Sequence, residues 1–265
     1  MSPPAAGQLA VRPLATTAEL DAAAGLLAGI WREPGGPISS DVLSALVLSR
    51  NYVAGVYDAS GRLVAASVAW ASPEPVELHS HLTGVERSAR GRGVGLALKL
   101  HQRAWARERR IASITWTFDP LQRANAWFNL VRLGAVAERY LENLYGRMDD
   151  SVNGDDDSDR LLVRWDVSGD DPGAPRRAPS GSAPVLVAGS DGRPVETPAP
   201  AARRVAVAVP ADVEALRRRD PVAVGLWRSA TRRLIGGALS GNGRLLGLDE
   251  EGRYVLERTG GSETG

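Results

Sequence analysis

The sequence predicts a mixed α/β fold with a smaller α+β extension behind it, and three observations support this. Up to residue 167, segments that alternate like strands are interleaved with segments of helical spacing. One strand-like segment, Val76 to Val85, feeds a Gly-rich turn that opens a helix-like one, Leu96 to Arg109. A stretch dense in Pro, Gly, Ser and Ala then divides the chain, which predicts a domain over 1–167, a linker over 168–202, an extension over 203–258 and a disordered tail over 259–265.

The elements follow in order. Val11 to Leu14 reads as a short strand, and Thr17 opens a helix with Leu20, Ala24, Leu27 and Ile30 or Trp31 on one face. Pro34-Gly35-Gly36-Pro37 stops it, and Ser39-Ser40-Asp41 caps a second helix from Val42 to Ser49. Tyr52 to Tyr57 and Leu63 to Trp70 flank Asp58-Ala59-Ser60-Gly61 as a hairpin. After the Gly-rich turn and its helix, Ile111 to Thr117 is a strand, a helix begins near Leu121, and Val136 to Tyr145 and Leu161 to Val167 are strands. The linker has one ordered patch, Val185 to Ala188. Arg204 to Val209 alternates like a strand, and Pro210-Ala211-Asp212 opens a short helix. Asp220-Pro221 starts a longer helix with Val222, Leu226, Ala230 and Leu234 on one face. Leu245 to Leu248 and Arg253 to Arg258 close the extension as a hairpin.

Composition narrows the function classes. A net charge of +1 argues against a dedicated nucleic-acid binder, and the Arg-rich stretches Arg217 to Arg219, Arg228, Arg232 and Arg233 read as solvated helix faces. With no cysteine there is no disulfide, thiolate metal site or thiol nucleophile. No apolar run reaches the length of a membrane span, and the first ten residues lack a signal-peptide layout, so a cytoplasmic protein is expected. Lys99 is the sole lysine, and the Arg, Ala and Gly richness suggests a high-G+C bacterial genome. Asp149, Ser151, Asn153 and Gly154 take calcium-loop positions, but Arg160 stands where a bidentate glutamate is required, so the segment reads as a solvated acidic loop.

The chemistry concentrates at residues 85–97. A strand that ends in Arg90-Gly91-Arg92-Gly93-Val94-Gly95 and enters a helix aims backbone N–H groups and a positive helix end at one point, where an anion binds. Dinucleotide and P-loop spacings fail, because Leu96 stands where the third glycine would be and no G-x-x-x-x-G-K-[ST] occurs. Arg90-x-x-Gly93-x-Gly95 instead resembles the loop that grips the coenzyme A pyrophosphate in the GNAT superfamily of N-acyltransferases. Ala124 to Ala135, ending Leu133-Gly134-Ala135, resembles that family's second signature, with Ala135 replacing the usual aromatic residue. The extension, with Trp227-Arg228 and Tyr254, resembles that of one bacterial branch of the family.

The resemblance implies a mostly antiparallel central sheet flanked by helices. It also implies an acyl-CoA cosubstrate, acetyl-CoA or another, bound by Thr83, Gly84, Val85, Arg90, Gly91, Arg92, Gly93, Val94, Gly95 and Asn125. A small-molecule amine is the expected partner, attacking directly, and neither nucleic acid nor membrane is expected; a homodimer is compatible with the family. Alternatives are an N-succinyltransferase acting on an amino acid and an acyl-CoA sensor without turnover. The family's catalytic glutamate position falls on His79. The tyrosine acid of many members falls on Leu130, leaving Tyr140 or Tyr145 as substitutes, and Arg123 stands where an asparagine often meets pantetheine.

The residues add their own case. Alternation puts Glu77, His79, His81 and Thr83 on one face of the strand and Leu78, Ser80 and Leu82 on the other. His79 and His81 are candidate proton acceptors, with Glu77 orienting them. Trp116, Asp119 and Tyr145 are candidate acceptor contacts, Asp119 as a helix cap or an ammonium partner. A His-x-His metal site lacks a third ligand, and His101 falls on the helix, so no metal is expected.

Overall fold

The computed structural model describes residues 10–32, 36–146, 156–169, 173–198 and 202–258. Most of the acidic loop and the expected tail, along with Pro34 and Gly35, lie outside the described residues. The chain divides into two compact units. The first runs to Trp116 and takes in the stretch that begins at Asp166, and the second holds the remainder from Thr117. The division therefore falls inside a strand, whereas the composition shift sets the expected boundary near Val167.

The first unit is a sheet with helices on both faces. In chain order it has β1 (Ala10–Pro13), α1 (Thr17–Trp31), α2 (Ser40–Leu48), β2 (Tyr52–Tyr57), β3 (Leu63–Pro73), β4 (Val76–Val85), α3 (Val94–Glu108) and β5 (Ser113–Phe118), whose last two residues belong to the second unit. β1 to β4 pair in sequence order, all antiparallel, and β5 joins β4 in parallel. Leu20, Leu27 and Leu43 from α1 and α2 bury Val53, Ala66, Val68 and Leu82 on one face. Val94 and Leu98 from α3 bury Val56 and Ala65 on the other. Helical spacing on α1 and α3 and two-residue alternation on β2 and β3 generate these two cores.

The second unit opens with α4 (Arg123–Ala126), which continues as a π-helical turn to Arg132, followed by the antiparallel pair β6 (Val136–Leu141) and β7 (Arg160–Asp166). β6 is shorter than the expected strand because the chain turns after Leu141, with Asn143 at positive φ. The segment expected as a linker supplies β8 (Ala183–Ala188) and β9 (Pro194–Glu196). These join β10 (Arg204–Val207), β11 (Arg244–Leu248) and β12 (Tyr254–Glu257) in a five-stranded sheet of order β11-β12-β10-β8-β9. Two helices, α5 (Val213–Arg219) and α6 (Pro221–Thr231), start on the aspartates 212 and 220, whose carboxylates accept the Ala215 and Ala223 N–H groups.

α6 keeps only part of the expected face inward: Ala230 is buried and Leu234 partly so. Val222 and Leu226 are 64% and 44% exposed, while Ala223, Trp227, Arg228 and Thr231 are buried. Trp227 and the ion pair of Arg228 set the inward face, and apolar spacing alone could not foresee a buried arginine. Among the described residues no helix is long and apolar enough to cross a membrane.

Candidate functional site

The Gly-rich turn forms as its sequence requires. After β4 a single 3₁₀ turn, Arg87–Ala89, leads to Gly91 and Gly93 at φ 74° and 80°, conformations that cost a side-chain-bearing residue dearly. Gly93 caps α3, and the first helical bond runs from Ala97 N–H to Gly93 O at 2.9 Å. The N–H groups of Val94, Gly95 and Leu96 thus have no acceptor within the helix. A Cβ at Gly91 or Gly93 would meet no atom within 4 Å, so the space over the turn is open. Arg90 Nε donates to Val85 O at 3.1 Å, tying the turn to the end of the strand. Arg92 is exposed and has no partner among the described residues. Glu86, the acid beside the turn, is paired with Arg62 at 2.6 Å and leaves the arginine charge uncancelled. Open space, free N–H groups and uncancelled guanidinium charge fit a pyrophosphate.

β4 departs from regular alternation. Its register on β3 shifts between Val68↔Leu82 and Ala69↔Ser80, which leaves His81 as an extra residue in a bulge. Before the bulge, Ser80 faces α3, where Lys99 Nζ donates to its Oγ at 2.8 Å. After it, Leu82 and Gly84 turn toward α1: Leu82 joins the cluster of Leu20, Leu27 and Leu43, and a Cβ on Gly84 would meet Leu27 and Ile30 at 2.8 Å. Thr83 faces α3 through Ser67 Oγ at 2.9 Å, itself bonded to Gln102 at 3.4 Å. The expectation that Thr83 shares a face with Glu77, His79 and His81 is thereby corrected. One inserted residue reverses every side chain beyond it.

Parallel pairing of β4 with β5 covers only Leu78↔Ile114 and His79↔Thr115. Among the described residues, β4 from Ser80 to Val85 has no ladder on that edge. A free edge of this kind offers backbone groups to an extended amide-containing ligand.

Glu77, His79 and His81 do come together, joined by Trp70 and Thr115. Thr115 Oγ1 donates to Glu77 Oε1 at 3.3 Å, and His79 Nδ1 lies 3.3 Å from the same Oγ1. A hydroxyl has one proton, and a carboxylate can only accept, so Thr115 accepts from His79 Nδ1–H. This leaves the His79 Nε2 lone pair to take a proton. The Trp70 ring centre lies 5.7 Å from that of His79 and 4.6 Å from that of His81, and the two imidazoles are 6.2 Å apart. Burial pushes the His79 pKa below 6.5, Glu77 opposing and Lys99 assisting. Burial and then His79 lower that of His81. Both rings are neutral at pH 7, the form that accepts a proton.

The remaining candidates are placed differently. Trp116 is 5% exposed and stacks under Lys99 Nζ at 3.9 Å, a core position rather than a pocket wall. Asp119, in the second unit, is buried. Its oxygens receive Arg228 Nη1 and Nη2 at 2.5 and 3.0 Å, and Oδ1 also accepts the Leu121 N–H at 2.9 Å. It is a cap and an ion-pair partner, its charge already matched by Arg228 and its side chain buried. Tyr145 is exposed and its hydroxyl lies 3.3 Å from Thr117 Oγ1. Tyr140 donates to Asp159 Oδ2 at 2.7 Å, and burial followed by the Asp159 charge keeps it protonated. Leu130 is buried, Asn125 is exposed on α4, and Arg123 donates to the Glu251 carbonyl.

Arg228 and its neighbours also correct the reading of solvated arginine faces. Arg217 donates to Asp156 at 2.8 Å, and Arg232 donates to Asp159 at 2.6 and 3.0 Å. Sequence reasoning missed Thr115, whose only signal was its position one strand over from the histidines. Among the described residues no three His, Cys, Asp or Glu side chains are grouped to hold a metal.

No protein-family model and no curated protein sequence matches the chain. Solved structures do. The ribosomal-protein-S18-alanine N-acetyltransferase from Escherichia coli matches with a TM-score of 0.50 at 16% identity, over 62% of this chain and 96% of its own. An N-acetyltransferase from Staphylococcus aureus Mu50 matches with a TM-score of 0.50 at 14% identity, over 61% of this chain and 99% of its own. The fold is that of the GNAT N-acetyltransferases.

Proposed function

We propose that the protein is an acyl-CoA-dependent N-acyltransferase, with acetyl-CoA as donor and a primary amine as acceptor. The observation that carries this reading is the turn at Gly91 and Gly93, which among the described residues is open above, lined by unpaired N–H groups and flanked by Arg90 and Arg92, at the end of a strand whose outer edge has no ladder beyond His79. When bound, the thioester supplies an activated acyl carbon. The turn holds the pyrophosphate through the N–H groups of Val94, Gly95 and Leu96 and through the two arginines. Backbone groups of Thr83, Gly84 and Val85 hold and polarise the arm and carbonyl. His79 Nε2 accepts the proton of the attacking amine, directly or through one water. Thr115 and Glu77 fix the imidazole tautomer, and His81 with Trp70 shields it from solvent. Attack is direct, because no cysteine is present to carry an acyl group.

Thermal-shift titration with acetyl-CoA, succinyl-CoA, free CoA and NAD tests the reading. Saturable stabilisation by CoA species and not by NAD is expected, followed by thiol release when amines are added. A flat response to every CoA species defeats it. A larger shift with succinyl-CoA selects the N-succinyltransferase alternative. If His79→Ala leaves both binding and biological output intact, the sensor alternative stands in place of the enzyme.

A further inference from the structure

Lys99 plays no part in the reaction proposed above, yet it occupies the place where β4 and β5 part. Two rungs join these strands, and the next residues along them are Ser80 and Trp116. Lys99 Nζ lies between the two, donating to Ser80 Oγ at 2.8 Å and resting 3.9 Å over the Trp116 ring. Its other hydrogen bond goes to Gln102 Oε1 at 3.3 Å, so neither bonded partner is a carboxylate. The residue is 4% exposed, and burial pushes its amine down to about 7. An ammonium so placed has no bonded counter-charge among the described residues, and its uncharged form is a competent nucleophile. Lys99 also belongs to the helix that begins at the anion-binding turn, six residues past Gly93, about 9 Å along the helix axis. A thioester arm that starts at the turn and follows the free edge of β4 is led toward this vertex.

We propose that Lys99 is a modification site, acylated by the acyl-CoA that the protein itself binds; this rests on the acyl-CoA reading above. The Nζ lone pair forms the new C–N bond to the acyl carbon, and the C–S bond breaks with its electron pair on sulfur. One nitrogen proton passes to the thiolate through Ser80 Oγ or water, which gives an amide and free CoA thiol. The amide removes a buried charge bonded only to neutral partners among the described residues, so the product is better suited to burial than the ammonium.

Full-length protein is incubated with acetyl-CoA at pH 8, with intact mass and fragment mapping read before and after, beside a thermal-shift titration of the same samples. The expected result is one acetyl group on Lys99, absent in Lys99→Met and formed at least about 10-fold more slowly in Arg90→Ala/Arg92→Ala, whose turn has lost its fixed charge. Stabilisation by acetyl-CoA with Lys99 unmodified overturns the inference and leaves the acyl-CoA reading standing. An equal rate in the arginine variant also overturns it, as chemical acetylation from solution. Neither stabilisation nor modification defeats both readings together.

Discussion

The face of β4 around His79 and the interior around Arg228 both hold polar side chains away from water, and they satisfy them in opposite ways. Around Arg228, buried charge meets opposite charge: Asp119 with Arg228, Asp159 with Arg232, Asp156 with Arg217. Each guanidinium fork finds a carboxylate, and Tyr140 and Tyr254 close the set through Asp159 and the Pro120 carbonyl. Around His79 the chain is mostly neutral, running Glu77, Thr115, His79, and behind the strand a lysine has no acid bonded to it. A matched interior leaves each of these charges with an opposite partner, which suits a scaffold. An unmatched one leaves imidazoles and an amine able to gain or lose protons near neutrality, which suits chemistry.

Breaking the matched region should produce the largest effect. Asp119→Ala strands a buried guanidinium and is expected to cost about 3–5 kcal/mol in urea denaturation. Replacing Asp119 with Leu and Arg228 with Met together should recover most of that loss, because no charge is then left unpaired. If the double variant is as unstable as the single one, the pair contributes more than neutralisation.

His79→Ala breaks the unmatched region in the other direction. Acyl transfer should fall by about 10²-fold or more with little change in melting temperature. In the parent, the rate should rise with pH along a limb centred below 6.5, since the active form is neutral and burial lowers the His79 pKa. A limb centred above 6.5 would assign the proton acceptor to another group.

Lys99→Met sharpens the contrast through stability. The folded amine titrates at about 7 and the free one near 10.5, so from pH 10.5 down to 7 the unfolded chain binds a proton that the folded one refuses. Parent stability is therefore greatest above the upper value and is lost as the pH falls toward 7. The methionine variant should be the more stable by about 1–3 kcal/mol at pH 6, with the gap closing toward pH 10, as read from paired denaturation curves. The smallest effect belongs to Glu77→Gln. It should slow the reaction by a few-fold and move the acid limb to lower pH, because the Glu77 charge raises the His79 pKa.

Much of the first unit was legible in the sequence. The Gly-rich turn announced itself because positive φ at Gly91 and Gly93 demands glycine, and helix caps and alternation located α1, α2, β2 and β3. His79, His81 and Glu77 were legible as neighbours because they precede the bulge, where the two-residue period holds. Thr83 was not, since nothing in its own residue type marks a register shift set by pairing with β3. Asp119 was legible as a cap, but its burial, like that of Trp116, was not, because burial is a property of partners distant in sequence: Arg228 lies 109 positions from Asp119. The same distance hid the inward face of α6, where Trp227 and Arg228 are buried beside Ala223, Val224 and Ala230. β8 and β9 were obscured by the Pro, Gly and Ser around them, which composition alone reads as a crossing.

The bulge at His81 makes β4 a strand with two phases. Upstream residues obey one parity and downstream residues the other, so the extra residue acts as a frameshift in space. Removing it would make Ser80 and Leu82 neighbours on the opposite faces they already hold, and the ladder with β3 would close without moving Thr83 or Gly84. Forcing the full-length strand into a regular ladder would instead swing Thr83 toward α1, crowding a hydroxyl among Leu20, Leu27 and Leu43. The strand should therefore tolerate the loss of the bulge residue far better than its absorption into the ladder.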